Sequence, residues 1–378
     1  MATRGPARGF LAAFFGGLLV LFGGVLAVTA GIDPYGLSPL DPDLGSLNSR
    51  RMERRQLDRM IKPIEAIERQ PKTLLLGTSR VRQGFAAAGF DGTGLAPVYN
   101  LGLNFSSLDE STALLETILP YLPSVKTIVF EFNFVHYHLP KGPHGVPVST
   151  ADLLHDLATA FLSTDALAAS VRTVLQNRNY TGHYYWIHPD GMMVMSPASM
   201  LQDIENFYAN VVTPFHVFQS GPVQAKILSD LRAICDRYRI DCIFAVLPYL
   251  PNDLAYYDET GNFASFVQAK RELLEAGFPV LDMTLFNPVT AEPLSDGMTY
   301  WTDVNHFKPL VGGYIADRLA GRENPSIPES FGIWLTEENF APRMAEWRAG
   351  LDAWKAAHPE AVSRIRATLA RKASVPPQ

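Results

Sequence analysis

Cysteine is almost absent, with two residues in a chain of 378. Two thiols cannot build a disulfide-dense scaffold or a Cys-rich metal centre. Charge is also scarce: charged residues make up 19%, below the ~25% of an average soluble chain. There is no basic excess, because 32 Lys and Arg face 38 Asp and Glu. No basic stripe appears either, which argues against a nucleic-acid binder. No internal repeat or low-complexity tract is present. No Gly-rich phosphate loop follows the first predicted strand, which argues against a nucleotide-binding sheet protein. Apolar residues, in contrast, reach 47%, so disorder is excluded as the main state. The length suits two domains, or one large domain with insertions.

The apolar content is uneven. Residues 9–32, GFLAAFFGGLLVLFGGVLAVTAGI, carry no charge and as a helix would reach about 36 Å, enough for one membrane crossing. Arg4 and Arg8 precede this run, and residues 31–50 carry one Arg and three Asp. The positive-inside rule then leaves the N-terminus in the cytoplasm and the rest of the chain outside. A cleaved signal peptide is the rival, with Val28-Thr29-Ala30 as small residues at a cleavage site. The run exceeds the usual 7–15-residue signal core, which favours an uncleaved anchor. A single buried core helix is the third reading. The expectation is a single-pass protein of a bacterial inner membrane, with its bulk periplasmic or extracellular. There Cys235 and Cys242 would meet an oxidising environment, as a disulfide or as two buried thiols.

Residues 33–72 read as a linker and approach segment. Its charged part, 49–55, reads as a helix whose Arg cluster is a solvated face or meets lipid headgroups. Short apolar runs then alternate with helical patterns. Strands are predicted at 73–77, 97–100, 126–133, 240–248 and 278–282, and helices at 108–119, 222–239, 263–276 and 309–320. Strands apolar on both faces and alternating with helices predict an α/β chain: a parallel sheet covered by helices on both sides. Catalytic groups in such a fold belong at the carboxyl ends of the strands. The stretch 134–220, rich in aromatics, His and Met, reads as an insertion over that edge. Residues 323–378 form a tail with helices near 337–356 and 359–372. Trp347, Leu351 and Trp354 share one helical face, which docks on the main domain or meets a partner or membrane.

Two motifs carry chemistry. Leu74-Leu75-Leu76-Gly77-Thr78-Ser79-Arg80 places a serine in a strand-to-helix turn, where nearby backbone N–H groups suit an oxyanion. Downstream, Asp303-Val304-Asn305-His306 places a histidine where the aspartate can orient its ring. A serine hydroxyl needs such a base, because its own pKa leaves it unreactive at neutral pH. Each motif alone has a bland reading, a turn or a helix cap. Their order on this scaffold resembles the SGNH (GDSL-type) hydrolase superfamily over roughly residues 73–320.

That resemblance implies a three-layer α/β/α flavodoxin-like domain over 73–322, with Ser79, Asp303 and His306 as the triad. The family's second block is similar to Tyr99-Asn100-Leu101-Gly102, which implies Gly102 as an oxyanion-hole N–H. Its third block implies Asn133 as the side-chain donor, with Asn104 as a rival. The chain departs from the family at Thr78, where the family has Asp, and at Glu131, where it has Gly. The layout looks most like membrane-tethered exported members that O-acetylate polysaccharides. These work beside a multi-spanning membrane acyltransferase that supplies the acyl group. The resemblance therefore implies acyl transfer to a glycan hydroxyl, with no cofactor and no metal. An esterase or deacetylase using the same triad is the alternative, and a non-catalytic polysaccharide-binding scaffold the second.

Other residues invite roles. Arg80 could hold an anionic substrate group or make an internal ion pair. His136 and His138, with His144, could bind a metal if the segment is a strand. Tyr180, His183, Tyr184, Tyr185, Trp186 and His188 are either a glycan platform, with Trp186 its lead residue, or aromatic packing of the insertion.

Overall fold

The computed structural model describes residues 5–40, 42–179, 185–195, 217–295 and 297–373, and only the backbone of 5–7, 55–56, 185–186, 195 and 372–373. In chain order the first elements are α1 (Gly5–Ile32), α2 (Asp58–Arg69), β1 (Thr73–Leu76), α3 (Ser79–Gly84), β2 (Val98–Asn100), α4 (Leu108–Ile118), β3 (Thr127–Glu131) and α5 (Phe134–His138). Next come α6 (Thr150–Leu162), α7 (Thr164–Asn179), β4 (Tyr185–Ile187), β5 (Met193–Met195), α8 (Pro222–Tyr238), β6 (Asp241–Val246), α9 (Pro251–Glu259) and α10 (Phe263–Glu275). The last are β7 (Val280–Asp282), α11 (Pro309–Leu319), β8 (Ile333–Leu335), α12 (Glu337–Ala357) and α13 (Pro359–Ala373).

The chain forms two compact units. Among the described residues the first comprises 5–40, 42–68, 147–179, 185–189 and 193–195. Its α1 contains a stretch, Arg8–Ile32, long and apolar enough to cross a membrane. A membrane anchor and a signal sequence both have this form. Phe10, Leu19 and Val20 are exposed, whereas Thr29 is fully buried. The Thr29 hydroxyl donates to the Phe161 carbonyl on α6 at 2.7 Å, so the covered part of α1 is its last turn. The expected charged helix at 49–55 is instead a 3-10 turn over Met52–Gln56. Arg54 is buried there in an ion pair with Glu65, and Arg51 pairs with Asp33 at 3.0 Å. These two arginines hold the unit together and do not form a solvated stripe.

Among the described residues the second unit holds 69–146, 190–192, 217–295 and 297–373. Its six-stranded sheet has the order β2-β1-β3-β6-β7-β8. The first five strands are parallel, and β8 runs antiparallel to β7. β1 and β3 are buried along their whole length, as expected of strands covered on both faces. The five parallel strands fall where the apolar runs placed them. β8 is only three residues long and has no alternation to announce it. The tail packs on α9 and α10: Trp347 is fully buried, its ring 4.5 Å from Phe263 and 5.1 Å from Phe266. Arg348 and Lys355 pair with Asp258. Cys235 and Cys242 are bridged, joining the end of α8 to β6.

The stretch read as one insertion over the sheet divides among its described residues. α5 belongs to the sheet unit, whereas α6 and α7 cluster with α1. Tyr180, His183 and Tyr184 lie outside the described residues.

Candidate active site

Parallel strands end together on one edge, and the site is built there. β1 runs out at Leu76, and Gly77 turns the chain where a Cβ would lie 2.5 Å from Glu131 Cβ and Val81 Cγ2. Only glycine fits that approach. Thr78 caps α3, its hydroxyl accepting the Arg80 N–H at 3.3 Å. The Thr78 N–H donates to Glu131 Oε2 at 2.6 Å. Ser79 is thus the first residue of a short helix whose entry is pinned from two sides. Its own N–H has no partner among the described residues.

The second half comes from the loop before α11. Trp301 and Phe307 bridge across it, and the Trp301 indole donates to the Val289 carbonyl at 2.8 Å. Asp303 Oδ1 accepts the N–H groups of Asn305 and His306, each at 2.8 Å. Its Oδ2 lies 2.8 Å from His306 Nδ1. His306 Nε2 lies 2.9 Å from Ser79 Oγ. An ionised carboxylate can only accept, so Nδ1 carries the proton and Nε2 faces Ser79 as an acceptor. Burial pushes the Asp303 carboxyl up, but the His306 ring and the two N–H donors outweigh it and hold it below its ordinary 3.8. Asp303 therefore stays charged at neutral pH.

The other predicted residues divide. Of the two roles read for Arg80 the structure shows the internal ion pair, because the residue is 1% exposed and turned inward. Its Nε donates to the Asn305 carbonyl at 3.1 Å, and a second nitrogen donates to the Pro248 carbonyl. The guanidinium stands 3.8 Å from Glu131 and 4.4 Å from the Tyr249 ring centroid. It ties the serine turn to the histidine loop and cannot reach a substrate anion. Gly102 is corrected: its N–H donates to Asn100 Oδ1 at 3.0 Å, so an oxyanion does not find it free. Its lack of a side chain serves packing, since a Cβ would lie 2.5 Å from Arg82 N. Asn133 caps α5 through the His136 N–H at 3.2 Å and donates to Glu131 Oε1 at 3.3 Å. An amide carries two N–H groups, which leaves Asn133 one more to offer. Asn104 is exposed in the loop after β2. Trp186 lies in β4, in the antiparallel ribbon with β5, and its side chain lies outside the described residues.

Two residues do more than the motifs announced. Glu131, noted only as a departure, receives Thr78, Arg80 and Asn133 together. Asn100 donates to the Val81 and Phe85 carbonyls, both at 2.8 Å, clamping the far end of α3. A buried polar residue closing a parallel strand was the signal for both. Beside the serine turn a small cavity of about 20 Å³ is lined by Gly77, Thr78, Ser107, Glu131, Asn133 and His136, among others. Burial, with Lys141 nearby, pulls the His136 ring down to about 4, so it is neutral. His136 and His138 sit on a helical turn and not a strand, and His138 packs between Phe134 and Phe218. Among the described residues no group of three or more His, Cys, Asp or Glu is placed to hold a metal.

No protein-family model matches the chain, and no curated protein matches it.

Proposed function

We propose that the protein is a membrane-anchored, exported serine acyltransferase of the SGNH kind, transferring an acyl group, most simply acetyl, to a glycan hydroxyl. The observation that carries the reading is the unbroken chain Ser79 Oγ–His306 Nε2–Asp303, with links of 2.9 and 2.8 Å between motifs 227 residues apart. His306 takes the Ser79 proton as the hydroxyl oxygen attacks the acyl carbonyl, and Asp303 stabilises the imidazolium that results. The Ser79 N–H and the second N–H of Asn133 are the donors for the tetrahedral oxyanion. His306 then protonates the leaving group. A second hydroxyl, activated by the same ring, takes the acyl group from Ser79.

Three features support the wider assignment. The five parallel strands, taken in chain order, run 2-1-3-4-5 across the sheet, the flavodoxin-like arrangement. α1 suits an anchor, and the Cys235–Cys242 bridge suits a domain outside the cytoplasm. A multi-spanning membrane partner as acyl source fits an anchored enzyme. An esterase is the second reading, because the acyl-serine step is common to both.

The test uses the full chain in detergent with p-nitrophenyl acetate and a panel of acidic and neutral oligosaccharides, products read by mass spectrometry. The expected result is an acetyl-Ser79 peptide and acetylated sugar, both lost in Ser79→Ala. Acetate release that no acceptor alters selects the esterase. No acyl-Ser79 with this donor or a fluorophosphonate sinks both.

A further inference from the structure

In the first unit, α6 and α7 turn an apolar stripe to the outside. On α6, Leu154 and Leu157 are exposed at i and i+3, with Leu162 further along; on α7, Val171 and Leu175 are exposed at i and i+4. Leu154 is 62% exposed and Leu175 52%, which is unusual for leucine in a water-facing helix that also has a buried side. The buried side exists: Leu153, Ala160, Ala166 and Ala169 face inward. The two helices therefore carry apolar residues on both faces, and nothing in the described chain covers the outer one.

The place of the stripe says what covers it. Both helices pack against α1, and α6 meets it at Thr29, in the last turn of the apolar stretch. If α1 crosses a bilayer, that turn lies at the boundary where the chain leaves the hydrocarbon. α6 has 13 residues and α7 has 16, so each is about 20–24 Å long, too short to cross a ~30 Å core. A short helix at that depth, apolar outside, lies in the interfacial plane. Its charges are mixed: Asp152, Asp156 and Asp165 against Arg172 and Arg178. Attraction to anionic headgroups is therefore not the source of binding.

We propose that the α6–α7 hairpin is a second membrane contact, its Leu/Val stripe embedded in the outer interface of the bilayer that α1 crosses. The proposal rests on the anchor reading. It makes the tether two-point, restricting how the first unit tilts on the surface where one flexible span would not. The ligand is the lipid surface itself.

Both native cysteines are in the disulfide, so a single introduced cysteine accepts a fluorophore. Full-length Leu157→Cys and Leu175→Cys, each labelled and reconstituted in phosphatidylcholine nanodiscs, would be exposed to lipid-borne nitroxide and to aqueous iodide. Leu19→Cys on α1 and Ala356→Cys, exposed on α12, are the lipid and water references. Both hairpin labels should lose fluorescence to the nitroxide as Leu19 does, resist iodide, and be unchanged by adding anionic lipid. Quenching at Leu19 but iodide access at the hairpin overturns the proposal and leaves the anchor standing. Protection of the hairpin from both quenchers assigns the stripe to a second copy and also overturns it. Iodide access at Leu19 removes the anchor reading and the proposal together.

Discussion

The two units treat apolar surface in opposite ways. Among the described residues, the first unit leaves eight large apolar side chains exposed outside α1, whereas the sheet unit, much the larger, leaves seven. In the sheet unit they are scattered singly, as on any soluble domain, and need no explanation. In the first unit five of them lie on one helical hairpin, a concentration that marks an interaction surface. Each unit also buries ion pairs, but they serve different ends. Arg54 and Glu65 staple a turn. Arg80 and Glu131 lie between the turn that carries Ser79 and the loop that carries His306, so their burial helps set the distance between the two. On the proposed readings the sheet unit is built for position, and the first unit for attachment.

The sharpest way to break that division is through the triad. Asp303→Asn keeps an oxygen for the Asn305 and His306 N–H groups but no longer requires the proton on Nδ1. We expect kcat/KM for p-nitrophenyl acetate to fall about 10³–10⁴-fold, roughly 4–5 kcal/mol, with the fold intact by circular dichroism. A loss under tenfold would mean that Asp303 does not set the His306 tautomer. Next in size is Arg80→Met. It leaves Glu131 buried without its cation, so unfolding free energy should fall by about 3–5 kcal/mol. Adding Glu131→Gln should recover part of the stability but not the rate, because Asn305 has still lost its tie. Full recovery of rate would show that Arg80 only neutralises charge.

The sequence was most readable where chemistry is local. Ser79 and the Asp303–His306 pair stood out because a strand end and a three-residue spacing define them without knowledge of the rest. Strands buried on both faces were equally plain. The role of Arg80 stays open in the sequence and that of Glu131 goes unread for a common reason: each is defined by a partner far along the chain. Whether a guanidinium turns out to solvent or in to Asn305 depends on the packing of loops 225 residues apart, which no local pattern encodes. α6 and α7 were missed because their leucines face both inward and outward, which blurs a helical stripe. The disulfide stays open in the sequence because whether two cysteines at a helix end and a strand start meet depends on the turn between them, which here is left-handed at Arg239, φ 55°.

A gentler probe is acid. Asp303 titrates below its ordinary 3.8 in the folded chain, so its contribution to stability is present above that value and is lost as the pH falls through the folded pKa. The urea midpoint of the native chain should therefore drop more steeply on acidification than that of Asp303→Asn. Asp258 and Glu259 are also held low: burial raises both, but Arg348, Lys355 and Arg366 outweigh it. They remain in both proteins, so the difference isolates Asp303. Parallel curves would mean that the Asp303 carboxylate gains nothing on folding.

The smallest effect is the most telling for the comparison. Leu175→Ser changes a half-exposed side chain on a helix surface, so in detergent the unfolding free energy should move by no more than about 0.5 kcal/mol. Turnover of a soluble ester should not change, because the triad lies in the other unit. In a bilayer the same substitution takes a buried leucine out of the interface, which is worth about 1.5–3 kcal/mol. Urea extraction from vesicles should then become easier for Leu175→Ser, and more so for Leu157→Ser combined with it. The contrast between an unmoved detergent stability and a weakened membrane attachment is what an attachment surface requires. A loss of stability in detergent as large as that in vesicles would place Leu175 in the protein's own core instead, and the two units would no longer differ in kind.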